Sequence, residues 1–317
     1  MQNQTKVTGL VISYFGNSVA VEAEDGQVFQ CYLRRNQALP VVGDQVEWQF
    51  EQGEQGTILQ ILPRHSLLMR GDGHGKMKAL AANLDLIMIV MAPPPIFSEY
   101  LVDRYLAAAE LLHIPSLLVL NKIDLLQDLN LIQERLQIYQ NIPYPIVLSS
   151  IFQDDTIHHL AAYLQQKTAV LVGPSGVGKS SLINALASNK AIRVGDVSPK
   201  GAGKHTTTAT RLYHLPDGGR LIDSPGVREF NLWTVNKQDM PQCFKEFAPF
   251  LQQCQFKDCK HLTEPSCAVQ AALANGKISR ERYASYQTLM KQARDESAFD
   301  PSSKKNKHKQ SRHKYEK

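Results

Sequence analysis

The sequence predicts a multidomain protein: a small OB-like β-barrel, then an α/β domain on a parallel sheet, then a short helical region with a metal site. Three observations carry this. Residues 1–70 hold five short β-type runs separated by turn signals. Residues 83–232 alternate strand and helix patterns around a glycine-rich loop at Gly173–Ser181. Residues 254–267 bring three cysteines and one histidine close together.

A chain of 317 residues can hold two or three domains. Its 43% hydrophobic and 21% charged content is that of a globular protein in water. Residues 1–6 are polar and show no signal-peptide core. The longest apolar run, Leu84–Ala92, is too short to span a bilayer and stops at Pro93-Pro94-Pro95. A cytoplasmic protein without membrane contact is therefore expected. The net charge of +5 is confined to residues 291–317, where nine Lys or Arg face four Asp or Glu. This basic tail, residues 296–317, is expected to be disordered, and either touches a polyanion or serves solubility.

In the first 70 residues the runs Val7–Ile12, Ser18–Ala23, Val28–Leu33, Val46–Phe50 and Gly56–Ile61 alternate with turns at Gly16-Asn17, Asp25-Gly26, Gly43-Asp44 and Gln52-Gly53. Five short strands at this spacing suggest an OB fold, which often binds single-stranded nucleic acid. Five basic residues stand against seven acidic ones, so any RNA surface must be local; Arg34, Arg35, Arg64 and Arg70 are the candidates. The competing reading is a barrel that only packs on its neighbour.

The glycines of Gly71–Lys76 signal a flexible linker, taken here as residues 71–82. Strands are then expected at Leu84–Met91, Ser116–Leu120, Ile146–Leu148 and Thr168–Val172. Helices fall between them: Ser98, as N-cap, to His113; Asp128–Gln140; and Asp154–Gln166. Such alternation predicts a parallel sheet with ligands at the carboxyl ends of its strands.

Gly173-Pro174-Ser175-Gly176-Val177-Gly178-Lys179-Ser180-Ser181 fits the phosphate-binding pattern G-x-x-x-x-G-K-S between a strand and a helix. Its glycines let backbone N–H groups turn toward phosphate oxygens, Lys179 can reach the β- and γ-phosphates, and the Ser180 hydroxyl can ligate Mg²⁺. A plain glycine-rich turn would rarely fill every fixed position. Asn121-Lys122-Ile123-Asp124, at the end of the second strand, fits N-K-x-D, the guanine-reading motif of GTPases. The Asp124 carboxylate can accept from both ring N1–H and the exocyclic amine of guanine, whereas adenine would leave it unpaired. Ser149-Ser150 ends the next strand and fits the small loop that backs the base. Asn236-Lys237-Gln238-Asp239 also matches, but it lies ten residues after Gly226, too near for a parallel crossover. Asp223-Ser224-Pro225-Gly226 is D-x-x-G: Asp223 would hold Mg²⁺ and the Gly226 N–H would sense the γ-phosphate. Thr207, within His205–Thr208, is the expected third magnesium residue. Thr208–Leu215 also fits a β edge.

Ordinary GTPases run phosphate loop, threonine switch, D-x-x-G, N-K-x-D and backing loop. Here the last two come first. Moving the chain ends while keeping the sheet preserves the site, so a circularly permuted α/β phosphate-loop GTPase domain is predicted at residues 83–232. The switch then leads into residues 233–295, where helical patterns at Met240–Gln253, Ala268–Asn275 and Ser279–Ala293 surround Cys254-x₄-Cys259-x-His261-x₅-Cys267. Three thiolates and an imidazole suit one structural tetrahedral Zn²⁺, which would staple a region with little core. Buried thiols without metal are the alternative. Cys31 and Cys243 are expected in cores.

This order of motifs, with a barrel before and a Cys-Cys-His-Cys cluster after, resembles the small ribosomal subunit biogenesis GTPases of the RsgA/YjeQ family over residues 5–290. The resemblance implies GTP hydrolysis to GDP and phosphate, coupled to late maturation of the small ribosomal subunit. It implies a barrel on rRNA, stimulation by the subunit, and release of an assembly factor or of the protein itself, which would act as a monomer. It also carries zinc ligation to Cys254, Cys259, His261 and Cys267. Val227 stands where many GTPases orient the attacking water with Gln, and His205 resembles the family's replacement. Two other readings stand beside this one: a nucleotide-gated RNA-binding module with negligible turnover, and a permuted GTPase acting on another RNA particle.

Overall fold

The computed structural model describes residues 6–34, 37–51, 53, 55–71, 77–93, 95, 97–128, 130–187, 210–224 and 236–293. Five strands form the barrel: β1 (Lys6–Tyr14), β2 (Ser18–Ala23), β3 (Val28–Leu33), β4 (Gln45–Phe50) and β5 (Gln55–Ile61). β1 pairs with β2 and β4, β2 with β3, and β5 lies between β3 and β4, so no barrel edge is left open. Val11, Val19, Val21, Cys31, Val46, Trp48 and Ile58 point inward on alternate positions and fill it. Burial pushes the Cys31 thiol up to about 12, with Glu51 adding to the shift, so it behaves as a core residue.

Two sequence expectations change here. Arg64 was a candidate for an RNA surface. Its Nε and Nη2 instead each lie 2.7 Å from the two carboxylate oxygens of buried Asp44, whose Oδ2 also accepts from the Val41 N–H. A bidentate partner of a buried carboxylate is committed to the fold. The second concerns residues 71–82, read as a linker. β6 (Leu67–Gly71) and β7 (Met77–Ala82) form an antiparallel hairpin, and Ala81 bridges to Val42 of the barrel. The glycine signal falls on residues 71–76, of which 72–76 lie outside the described residues, while the small apolar run Ala79–Ala82 can lie flat against the barrel.

The α/β domain places β8 (Leu86–Met91), β9 (Ser116–Asn121), β10 (Ile146–Ser149), β11 (Thr168–Val172), β12 (Arg211–His214) and β13 (Arg220–Asp223) in the order β10-β9-β8-β11-β13-β12. All are parallel except β12. Both faces are covered. Ile87, Ile89 and Met91 of β8 meet Val102, Tyr105 and Leu106 of α1 (Glu99–Leu111) and Leu136 and Tyr139 of α2 (Asn130–Gln140). The intervening Leu86, Met88 and Val90 share a core with Leu160 and Leu164 of α3 (Asp154–Leu164) and Leu182 and Leu186 of α4 (Lys179–Ala187). Continuous apolar strands are what burial on both faces requires. Ser98 caps α1 as expected, accepting from the Leu101 N–H. β12 is no edge: its outer neighbour is β1, so barrel and domain share one eleven-stranded sheet.

The C-terminal region holds α5 (Ala248–Leu251), α6 (Ala268–Ala274) and α7 (Arg280–Gln292). The single helix expected over Met240–Gln253 is instead two 3₁₀ turns, Met240–Cys243 and Lys245–Phe247, followed by α5. Pro241 and Pro249 interrupt it, each lacking the N–H a continuous helix needs and suiting only a first turn. Phe244, Phe247, Val269, Tyr286 and Leu289 form the local core, and Ala107 of α1 joins it. Cys243 is buried there, its thiol pushed up to about 12 mainly by burial. Among the described residues no helix is long and apolar enough to cross a membrane.

Candidate nucleotide site and metal centre

The phosphate loop leaves β11 at the middle of the sheet, flanked by β8 and β13. Gly173, Gly176 and Gly178 have φ of 141°, 85° and 96°, a region that favours glycine. Space demands glycine as well. A Cβ on Gly173 would lie 2.3 Å from the Val90 carbonyl oxygen, and one on Gly178 would lie 2.4 Å from Asn121 Nδ2. The loop turns straight into α4, which begins at Lys179. Lys179 is buried, and its Nζ donates to the carbonyls of Gly173 and Pro174 at 2.7 Å each. An ammonium is thus held inside the turn, beside a helix N-terminus. Ser175, Gly176, Ser180 and Ser181 are exposed, and Val177 is buried.

Asn121 ends β9 and reaches across to this loop. Its Nδ2 donates to the Val177 carbonyl at 2.9 Å, and Lys122 Nζ donates to the Gly176 carbonyl at 2.6 Å. Lys122 takes a left-handed backbone, φ 63° and ψ 38°, which turns the chain sharply before the 3₁₀ turn Ile123–Leu125. Asp124 then faces the end of β10, where the Ser150 hydroxyl donates to its Oδ1. The register pairs Ser149 with Asn121, so the two sequence segments meet because their strands are neighbours. Thr156 on α3, unmarked in the sequence reading, fixes this loop. Its hydroxyl accepts from the Ser150 N–H at 2.9 Å and donates to the Gln153 carbonyl at 2.8 Å. A hydroxyl in the first turn after an Asp-Asp helix start was the available signal.

Asp223 ends β13, beside β11, and the Ser224 hydroxyl pairs with that of Thr210 at 2.9 Å. The structure therefore gathers Asn121–Asp124, Ser149-Ser150, Gly173–Ser181 and Asp223 at the carboxyl ends of adjacent parallel strands. His205, Thr207 and Gly226 lie outside the described residues. Asn236–Asp239, the second N-K-x-D match, is a turn in the C-terminal region, with its Asp239 N–H bonded to the Asn236 carbonyl.

The metal-type cluster is compact. Cys254, Cys259, His261 and Cys267 bring their donor atoms within 4.8 Å of one another. Cys254 Sγ lies 3.5 Å from His261 Nδ1 and 3.9 Å from Cys267 Sγ, and His261 Nδ1 lies 3.4 Å from Cys267 Sγ. Tetrahedral bonds of about 2.3 Å to sulfur and 2.0 Å to nitrogen would separate donors by about 3.5–3.8 Å. The donor set and spacing fit one metal ion. The loop between the ligands is held by Glu264, which accepts from the N–H groups of Lys260, Leu262 and Thr263 at 3.0, 2.8 and 3.1 Å. Burial raises the Glu264 carboxyl, but N–H donation from its own residue, Leu262, Lys260 and Thr263 outweighs this and holds it low. On α7, the Tyr283 and Tyr286 hydroxyls each donate at 2.6 Å, to the His261 and Lys260 carbonyls respectively.

Comparison with known proteins gives a consistent answer. The family described as RsgA GTPase matches residues 61–233. A relative from Haemophilus influenzae, "Small ribosomal subunit biogenesis GTPase RsgA", is 45% identical over 289 residues, covering 89% of this chain and 84% of the relative. One of the same description from Pseudomonas fluorescens is 46% identical over 297 residues, covering 92% and 87%. Among solved structures, YjeQ from Thermotoga maritima superposes with a TM-score of 0.74 at 33% identity, covering 90% of this chain and 98% of that one. The circularly permuted GTPase YloQ gives 0.72 at 29%, covering 92% and 96%.

Proposed function

Because the chain belongs to the RsgA family of GTPases, we propose that it hydrolyses GTP as a checkpoint in late maturation of the small ribosomal subunit. We propose further that the subunit stimulates hydrolysis, and that hydrolysis releases an assembly factor or the protein itself. The observation that carries the reading is the pair of bonds from Asn121 and Lys122 to the carbonyls of Val177 and Gly176. They join a guanine-type reader to a phosphate loop more than fifty residues further along the chain. Such a joint has a use when one ligand carries both a guanine and a polyphosphate.

The roles follow from position. Asp124, held by Ser150, presents carboxylate oxygens to the N1–H and amine of guanine. The loop from Gly173 to Ser181 wraps the phosphates with backbone N–H groups, and Lys179 neutralises charge on the β- and γ-oxygens. Ser180 and Asp223, with Thr207, would hold Mg²⁺, which supplies positive charge against the developing phosphate charge. Gly226 would sense the γ-phosphate, and His205 would orient water in place of the usual Gln. Cys254, Cys259, His261 and Cys267 would hold a structural Zn²⁺, since three thiolates with one imidazole favour that ion. The barrel would be the rRNA-facing arm, in a cytoplasmic monomer.

The test is phosphate release from GTP by the full chain, alone and with purified small ribosomal subunits. Stimulation by small but not large subunits is expected. Equal rates with and without small subunits would remove the ribosomal part of the reading.

A further inference from the structure

β1 has three partners rather than two. Its residues Lys6–Leu10 pair with β4 and close the barrel. Further along the same strand, Ser13 pairs with Arg211 of β12. Between them lies a bulge, where the register of β1 against β2 shifts between Val11 and Ser13. A bulge bends a strand and re-aims the residues beyond it, and here it hands the strand from the barrel to the α/β sheet. The joint is buried and polar on one side. Ser13 is fully buried and its hydroxyl donates to the Thr210 carbonyl at 3.4 Å. On the other side, His214 Nε2 of β12 lies 2.7 Å from the Glu22 carboxylate of β2.

β12 is also tied to the nucleotide site. It pairs along its whole length with β13, Arg211 opposite Asp223, and Thr210 bonds the hydroxyl of Ser224. The strand beside the D-x-x-G motif is therefore the strand that grips the barrel. Leu10, Ile12 and Ala20 of the barrel pack in one core with Leu212 of β12 and Ile222 of β13, so these strands share packing as well as hydrogen bonds.

We propose that β1 and β12 are a relay through which the nucleotide bound at the phosphate loop and the state of the barrel bias one another, with Ser13, Glu22 and His214 as its positioning residues. The proposal rests on the GTPase reading above. If binding of GTP rather than GDP alters the end of β13, it alters the pairing of β12, and then the strand that closes the barrel. By linkage, a ligand that prefers one state of the barrel must shift nucleotide preference by the same factor.

Hydrogen exchange of the full chain tests this, with GDP or with a magnesium-complexed non-hydrolysable GTP analogue as probe. Amide exchange in β1, residues 10–14, should differ at least about fivefold between the two nucleotides, the lower end of ordinary coupling. In Ser13→Ala/Glu22→Gln the difference at β1 should fall below about twofold while β13 still responds. If that double variant loses its circular dichroism signal, His214→Ala removes the same contact from the opposite strand and should give the same loss. Binding of both nucleotides with identical β1 exchange would overturn the relay and leave the site intact. An undiminished response in the folded variants would also overturn it. Binding of neither nucleotide would overturn the reading of the site, and the relay with it.

Discussion

The Arg282 guanidinium of α7 lies 2.6 Å from the Asp103 carboxylate of α1, with Arg282 1% exposed and Asp103 fully buried. The same guanidinium grips Glu246 through Nε and Nη2 at 2.6 and 3.0 Å, and lies over the Phe244 ring. Asp103 in turn accepts from the Tyr139 hydroxyl of α2 at 3.0 Å. Burial alone would lower the Arg282 group, but Asp103 and Glu246 outweigh it and keep it charged. The C-terminal region is thereby pinned to the two helices that follow β8 and Asn121–Asp124. Removing one partner of such a buried pair destabilises by about 3–5 kcal/mol, since the other charge stays buried and alone. Arg282→Met should lose that much in urea unfolding. Loss below about 1 kcal/mol would mean that Asp103 is relieved by water or by taking up a proton, which its burial favours.

Gly178→Ala should abolish tight guanine-nucleotide binding. Its Cβ would meet Asn121 Nδ2 at 2.4 Å in a backbone with φ of 96°, so both the loop and the base reader must move. We expect titration with fluorescent GDP to show at least a tenfold rise in Kd, which is about 1.4 kcal/mol.

Asp124→Asn should exchange base preference. An amide can donate where the carboxylate could only accept, which suits the oxo group of xanthine in place of the guanine amine. Competition between GDP and xanthosine diphosphate should reverse in order. Unchanged preference would remove Asp124 from base reading.

Metal removal should act on the C-terminal region first. Elemental analysis should find one zinc per chain, and Cys267→Ser should lower that content. A strong chelator should raise hydrogen exchange in α6 and α7 while the barrel amides stay protected. The loop carrying Cys259 and His261 leans on α7 through Tyr283 and Tyr286, so disorder in that loop would reach the helix directly.

Glu99 gives a pH signature. Hydrogen bonding from Arg135 holds its carboxyl below the usual value of 4.5, against an opposing effect of burial. A carboxyl lowered in the folded state adds stability above its unfolded value, and that stability is lost as pH falls through the folded value. Glu99→Gln should therefore be less stable than the parent at pH 7, by no more than about 1 kcal/mol because the pair is partly solvated. The gap should close below pH ~4. Urea midpoints across that range check both the size and the sign.

Much of the fold was legible because short-range patterns dominate it. The five barrel runs are short and set apart by turn signals, β4 and β5 alternate at period two, and β8, β9 and β11 have apolar centres, so each strand announces itself. The phosphate loop and Asn121–Asp124 were legible because their chemistry dictates residue types at fixed spacing. What stayed hidden depends on partners remote in sequence. Nothing local marks Arg64 as the partner of Asp44 or Arg282 as that of Asp103. The pairing of β6 with β7 was hidden because Gly71, Gly73 and Gly75 read as a linker signal. The role of Thr156 appears only once α3 is folded back onto β10. Likewise, nothing in the run leading into β12 marks β1 as its neighbour.

The sheet order also bears on how the protein is made. Within the α/β sheet, β8, β9 and β10 leave the ribosome before the rest and can pair among themselves, but the far edge of β8 must wait for β11. Until then an apolar strand has an open side, the kind of surface that aggregates or recruits chaperones. The segment proposed to read the base, Asn121–Asp124, is thus synthesised before the loop proposed to hold phosphate, Gly173–Ser181. A growing chain has no complete pocket until β13 has emerged and paired with β11.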